Sequence, residues 1–200
     1  MKTGILGGTF NPIHNGHLEM AEIAVDVFDL DDIMLIPTGN PPHKTNEDML
    51  SKYERYELCL LSAVRYDNIF VSSIEVDREG YTYTIDTLME LERIYGLKDE
   101  LYFIIGGDTV FLLEKWKNFR EIFKRCRFIA FGRAGMDLAK IIQKIELLET
   151  KYGADIGLIT ADIMDVASKD LREMIKKGES VSGFIPPEAE SYIKRHNLYK

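Results

Sequence analysis

Cysteine is scarce. Only Cys59 and Cys126 occur in 200 residues, each inside an apolar stretch, too few for a disulfide framework and typical of a chain kept reduced, where they serve as small buried hydrophobes. Long apolar runs are absent as well. None approaches the roughly 18 residues of a membrane span, and the first residues lack the charged, apolar and small-residue regions of a signal peptide. A soluble, cytoplasmic protein without a membrane partner is expected. Basic residues are outnumbered, 25 Lys and Arg against 33 Asp and Glu for a net charge of −8, so the overall field repels polyanions and excludes a nucleic-acid-coating role. Small phosphorylated ligands stay admissible, because a few backbone amides and local cations can hold them. Proline is rare too, and three of the six fall in the one long irregular stretch, Pro37 to Ser51, a length at which loops tend to be functional. With no repeat, linker or low-complexity tract, residues 1–200 read as a single domain with a mostly helical part from about residue 161.

What is present is an alternation of short apolar runs with helix-period segments. Strands are expected at Thr3–Leu6, Ile33–Ile36, Ile69–Ile74, Leu101–Ile105, Phe128–Phe131 and Ile156–Ile159. Between them lie helical stripes: Leu18, Ala21, Val25, Phe28; Tyr53, Tyr56, Leu60, Val64; Thr84, Leu88, Leu91, Tyr95; and Leu138, Ile141, Ile145, Leu148, Tyr152. A helix through Phe111 and another near Phe119 to Lys124 follow the fourth strand, and helices from Ser168 to Lys177 and Glu188 to Arg195 come last. Apolar strands without polar alternation, separated by helices, indicate an α/β fold with a doubly wound parallel sheet covered on both faces. In such sheets ligands bind beyond the carboxyl ends of the strands, where the strand order reverses. Strand one runs into Gly7-Gly8 and strand four into Gly106-Gly107, so both double glycines are expected at that reversal.

The segment Gly7-Gly8-Thr9-Phe10-Asn11-Pro12-Ile13-His14-Asn15-Gly16-His17 joins the first strand to the first helix. It sets two imidazoles, His14 and His17, near a helix N-terminus whose amides and dipole favour phosphate. No third Cys, His or acidic residue stands at ligand spacing, so no metal-binding set is expected. The imidazoles suit donation to phosphate oxygens. Neither the dinucleotide fingerprint nor the P-loop pattern is present. Asp108, after the second double glycine, suits either a hydrogen-bond acceptor for a ligand or a helix N-cap.

The first segment resembles the G-T-F-x-P-x-H-x-G-H signature of the nucleotidylyltransferase superfamily, with His14-Asn15-Gly16-His17 as its H-x-G-H. Pro41-Pro42-His43-Lys44, Tyr81-Thr82-Tyr83-Thr84-Ile85-Asp86-Thr87-Leu88, Gly106-Gly107-Asp108 with Trp116, and Phe131-Gly132-Arg133 extend the match over nearly the whole chain. In that order they resemble the bacterial nicotinate-nucleotide adenylyltransferases. The resemblance implies a Rossmann-like nucleotidylyltransferase fold. It also implies a reaction in NAD synthesis, in which ATP transfers its adenylyl group to nicotinate mononucleotide without a covalent enzyme intermediate. Mg²⁺ would arrive with ATP, with no tightly bound protein-ligated metal.

By the same resemblance Gly8, Thr9, Phe10, His14, His17, Gly106, Asp108, Arg133, Ser168 and Arg172 would meet ATP. Gly8, Thr9, Lys44, Thr84, Trp116 and Lys117 would meet the mononucleotide, with Trp116 stacked on the nicotinate ring. His14, His17, Lys44 and Arg172 would act on the reacting phosphates. Partners would be the two small nucleotides, with no nucleic acid, and a homo-oligomer stays open. The chain departs from the family pattern I-S-S-T-x-I-R at Val166-Ala167-Ser168-Lys169-Asp170-Leu171-Arg172, where alanine and lysine replace hydroxyl residues. It also carries Asn11 where aspartate is frequent, and no proline follows Arg133. The altered segment keeps open a nucleotide-binding regulator without turnover, and the Thr84 and Trp116 regions distinguish nicotinate mononucleotide from other phosphorylated acceptors.

Overall fold

Runs of β-branched and aromatic residues become six strands in a computed structural model that describes residues 1–41, 49–96, 100–133 and 135–200. They are β1 (Lys2–Gly8), β2 (Asp32–Pro37), β3 (Ile69–Val71), β4 (Glu100–Gly106), β5 (Arg127–Gly132) and β6 (Ile156–Thr160). Their order is β3-β2-β1-β4-β5-β6, so the winding reverses between β1 and β4. The strand ends carrying Gly7 and Gly106 stand at that reversal, as the doubly wound reading expects. Helices are α1 (Asn15–Phe28), α2 (Lys52–Ala63), α3 (Thr84–Tyr95), α4 (Phe119–Phe123), α5 (Leu138–Tyr152), α6 (Ser168–Lys177) and α7 (Pro187–Arg195). A 3₁₀ helix, Thr109–Lys115, takes the place expected for the helix through Phe111.

The residues group into two compact units: Met1–Gly7, Met20–Ile33 and Tyr83–Ile163 form the first, and Gly8–Glu19, Met34–Thr82 and Met164–Lys200 the second. In the first unit β1 pairs with β4, β4 with β5 and β5 with β6, all parallel. The register sets Leu6 against Ile104, Gly106 against Phe131 and Gly132 against Thr160. Helix α5 buries Ile141, Ile145 and Leu148, the stripe its 3.6-residue period announces. Asp137 caps it by accepting from the Lys140 amide, and Gly153 ends it in the left-handed conformation. An aromatic cluster of Phe103, Phe123 and Phe128 fills the space beside it, with ring centroids 5.9 and 5.7 Å apart.

The second unit buries Ile13, Leu18, Leu35, Leu58, Leu171 and Ile193. Helix α2 starts with a capping box: the Ser51 hydroxyl accepts from the Glu54 amide at 3.2 Å and the Glu54 carboxylate accepts from the Ser51 amide at 3.0 Å. Its buried face differs from the expected stripe. Tyr53 and Val64 are 64% and 66% exposed, while Arg55, Leu58, Cys59, Ser62 and Ala63 point inward. The reason is Arg55, whose guanidinium is buried because carbonyls satisfy it; a search for apolar periodicity passes over a buried cation. Strand β3 is also shorter than expected. The Ser72 amide still donates to the Leu35 carbonyl of β2 at 2.9 Å, but the Ile74 amide donates to the Ser72 hydroxyl at 3.3 Å and the Ser73 hydroxyl to Asp77 at 2.6 Å, local bonds that turn the chain away beyond Ser72.

Candidate active site

Between β1 and α1 the backbone makes a turn that few residues tolerate. Phe10 sits at φ 49°, a left-handed conformation that a side chain with a β-carbon adopts only when its surroundings hold it there. Its ring is buried and meets the His17 ring edge-on at 5.1 Å. The Asn11–Pro12 peptide is cis. Three residues on, the buried His14 lies against the half-exposed His17, with ring centroids 3.7 Å apart and tilted by 35°. The His14 amide donates to His17 Nδ1 at 3.3 Å, which places the proton of a neutral His17 ring on Nε2. Gly16 separates them because a β-carbon there would lie 2.8 Å from the Met164 carbonyl oxygen, so the chain at residue 164 closes onto the start of α1 only over glycine. The Met164 amide completes the contact by donating to Glu19 at 2.7 Å.

Helix α6 grips this turn from the C-terminal part of the same unit. The Ser168 hydroxyl donates to the Pro12 carbonyl at 2.9 Å, and Arg172 Nη1 donates to the Asn11 carbonyl at 2.8 Å. Both residues expected on the triphosphate therefore also shape the turn. A guanidinium has five N–H donors, so one bond to Asn11 leaves Arg172 able to meet phosphate. The helix begins at Ala167, which has extended backbone and no side-chain cap, so the first amides of α6 lack the hydroxyl that the family pattern places there. Lys169 is exposed and pairs with Glu173 on its own helix at 3.8 Å.

Arg55 is the largest of the fully buried side chains. It donates to the Thr9 carbonyl at 2.7 Å, the Gly39 carbonyl at 3.0 Å and the Leu50 carbonyl at 3.2 Å. Burial lowers its pKa, and nearby Cys59, Tyr199 and Glu75 raise it; a guanidinium stays charged through such shifts. Gly39 also lets the chain at residue 75 pass close by lacking a side chain, since a β-carbon would fall 1.9 Å from the Glu75 carbonyl oxygen. One cation thus ties the signature turn to both described flanks of the long loop. Lys44, expected to reach phosphate from that loop, lies outside the described residues, as do Pro42 and His43.

The first unit carries the residues expected around the acceptor. Trp116 is half-buried and makes T-shaped contacts with Phe103 at 5.7 Å and Phe128 at 6.3 Å. These aromatic neighbours fix the indole, whose π-system suits stacking on a flat heterocycle. Lys117 stands 4.2 Å over the Tyr83 ring and pairs with Asp86 at 3.0 Å, which joins the Trp116 segment to the first turn of α3. That turn opens at Tyr83 without a side-chain cap, so Thr84 offers backbone amides at a helix start. Asp108 caps nothing with its side chain. Its Oδ1 instead lies 2.6 Å from where a Gly106 β-carbon would be, folding the carboxylate back over the end of β4. Arg133 follows β5 and its amide donates to Met136 Sδ at 3.4 Å.

Of the expected site residues, Gly8, Thr9, Phe10, His14, His17, Ser168 and Arg172 stand together in the second unit, and Thr84, Gly106, Asp108, Trp116, Lys117 and Arg133 belong to the first. Residue types alone missed Arg55. A sign existed for the arginine: Arg55, Leu58, Cys59 and Ser62 repeat at helical spacing, with a cation in line with small and apolar residues.

The cytidylyltransferase-like family model matches residues 5–174. The chain is 40% identical over 200 residues to a "Probable nicotinate-nucleotide adenylyltransferase" of Thermoanaerobacter sp. (strain X514), covering 100% of this chain and 95% of that protein. A relative of the same designation from Lachnoclostridium phytofermentans is 40% identical over 198 residues, covering 99% and 98%. Among solved structures, the Plasmodium falciparum nicotinic acid mononucleotide adenylyltransferase complexed with NaAD superposes with a TM-score of 0.79 at 19% identity, covering 99% of this chain and 97% of that one. That likeness speaks for the shared fold, and the sequence relatives speak for descent. The chain belongs to the cytidylyltransferase-like family and, within it, to the nicotinate-nucleotide adenylyltransferases.

Proposed function

We propose that the chain transfers the adenylyl group of ATP to nicotinate mononucleotide, giving nicotinate adenine dinucleotide and pyrophosphate in NAD biosynthesis. An oxygen of the mononucleotide 5′-phosphate attacks the α-phosphorus of ATP. The bond from that phosphorus to the pyrophosphate oxygen breaks, and pyrophosphate leaves with its electron pair. Such a displacement needs no protein nucleophile. It needs two anions held in line and negative charge offset on the α-phosphate and leaving group.

The observation that carries this reading is the pair of packed imidazoles at the start of α1, with the Asn11 and Pro12 carbonyls held by Arg172 and Ser168. On this reading His14 and His17 donate to the ATP phosphates beside the Gly8, Thr9 and Phe10 backbone, and Ser168 and Arg172 take the outer phosphates. Gly106, Asp108 and Arg133 serve the adenosine part of ATP. Thr84, Trp116 and the Lys117 amide take the nicotinate ring and its carboxylate, and Lys44 supplies a further cation. Mg²⁺ enters as part of the MgATP substrate. Among the described residues no group of three or more His, Cys, Asp or Glu stands together as a metal-donor set, and the reading assigns the ion to the phosphate oxygens. Both cysteines are free and buried, which supports a cytoplasmic setting, and among the described residues no helix is long and apolar enough to cross a membrane.

The test is pyrophosphate release from the purified protein with ATP, Mg²⁺ and either nicotinate or nicotinamide mononucleotide. A carboxylate accepts on both oxygens, whereas the amide turns an N–H toward a site built of donors, a mismatch that costs several powers of ten. Turnover with strong preference for the acid is expected. Equal use of both would overturn the acceptor assignment, and no release with either would overturn the activity.

A further inference from the structure

The segment after α7 folds back into the second unit in a conformation that needs an explanation. Asn197 and Tyr199 both hold left-handed backbone, with φ of 53° and 63°, which residues with a β-carbon avoid unless something holds them. What holds them is burial of the Leu198 and Tyr199 side chains, 9% and 7% exposed. The Leu198 amide also donates to the Ile193 carbonyl at 3.1 Å. At the bottom of this insertion the Tyr199 hydroxyl donates to Asn11 Oδ1 at 3.0 Å, and the Leu50 amide donates to the same oxygen at 3.2 Å. The Asn11 carbonyl on the other side of the residue accepts from Arg172. Asn11 is thus fixed through both its side chain and its carbonyl. Burial raises the Tyr199 pKa, against the pull of the neighbouring Arg172 and Arg55 cations, so the hydroxyl keeps its proton and remains a donor.

We infer that Tyr199 is a positioning residue for adenylyl transfer: through Asn11 it holds the Phe10–His14 turn in the geometry that aims His14, His17 and Arg172 at the phosphates. This deepens the proposed adenylyltransferase reading and rests on it for its kinetic consequence. The physical ground is that the Phe10 turn has left-handed backbone and is joined at Asn11 by three hydrogen bonds from residues 39, 161 and 188 positions away in sequence. Removing one donor lets the turn relax, and displacements of about 1 Å at a reacting group cost up to about a hundredfold in rate.

The test compares Tyr199→Phe, which keeps the buried ring and removes the donor, with Asn11→Leu, the double variant and Lys200→Ala as a control beside the same segment. Tyr199→Phe should keep its unfolding midpoint close to that of the parent and lose about tenfold or more in kcat. It should raise KM for ATP more than KM for the mononucleotide, because the residues assigned to the nicotinate ring lie elsewhere. Asn11→Leu, which also removes the acceptor of the Leu50 amide, should lose at least as much, the double variant little more than Asn11→Leu, and Asn11→Asp, which keeps an oxygen acceptor, should retain the rate. Hydrogen exchange at residues 9–17 should rise in Tyr199→Phe and not in Lys200→Ala. Exchange reads the tether independently of turnover: an inactive parent overturns the adenylyltransferase reading, while unchanged exchange at 9–17 overturns the tether. Parental kinetics in Tyr199→Phe, or losses that multiply in the double variant, would overturn the role of the hydroxyl. If Tyr199→Phe does not fold, the Asn11→Asp and Asn11→Leu pair decides, and equal rates in the two overturn the proposal.

Discussion

His17 combines two constraints in one ring. Its Nδ1 is committed to the His14 amide, and its ring packs T-shaped against Phe10, so Nε2 is delivered as an oriented donor rather than as a free surface imidazole. A donor aimed at charge that grows in the transition state is worth about 10² to 10³ in rate. His17→Ala is expected to lower kcat by that factor and to leave mononucleotide affinity within about twofold, checked by steady-state kinetics and a binding titration. Full turnover in a folded variant would remove this ring from the chemistry. The two histidines were legible from sequence because their spacing and flanking glycines are local features. For Arg55 the spacing with Leu58, Cys59 and Ser62 was legible but the role was not, because it lies in three carbonyls 46, 16 and 5 positions away, which only folding assembles.

Helix α6 begins without a side-chain cap. Ala167 has the extended backbone of an N-cap, φ −102° and ψ 140°, and its carbonyl already accepts from the Asp170 and Leu171 amides. Only the acceptor side chain is missing. Ala167→Ser should therefore stabilise the protein by about 1 kcal/mol, raising the unfolding midpoint by about 2–4 °C for a chain of this size, read by thermal unfolding. No gain would mean that the first-turn amides are already satisfied. Helix positions were readable from sequence for α5, α6 and α7, where apolar period and end signals agree. The face that α2 buries was not, because a satisfied buried cation, Arg55, rotates the inward side away from Tyr53 and Val64. The irregular end of β3 has a similar origin in serine hydroxyls that bond to their own neighbourhood.

At the scale of the molecule, one ionic cluster links distant segments of the first unit. Glu114, on the 3₁₀ helix, bonds the Lys144 ammonium and accepts from the Tyr152 hydroxyl at 2.6 Å, both on α5. Those hydrogen bonds, the Lys144 bond foremost and the Tyr152 bond second, hold its carboxyl below the ordinary carboxylate range. A depressed folded-state pKa stabilises above the unfolded value of about 4.3, and the stabilisation disappears as pH falls through the folded value. Glu114→Gln is therefore expected to lower the unfolding midpoint at pH 7 and to converge with the parent as the pH drops well below about 4. A gap that stayed constant across that range would assign the effect to packing. By itself the sequence determined the α/β class, the strand ends that meet at the winding reversal, the histidine pair and the family, because these reside in short-range period, turn chemistry and contiguous motifs. Tertiary structure alone decided that Ser168 and Arg172 hold the Asn11 and Pro12 carbonyls, that Arg55 is the buried fastening of the signature turn, and that Tyr199 reaches Asn11 across 188 residues. Those are hydrogen bonds between groups whose separation along the chain carries no local signal, and they exist only once burial has removed water as the competing partner.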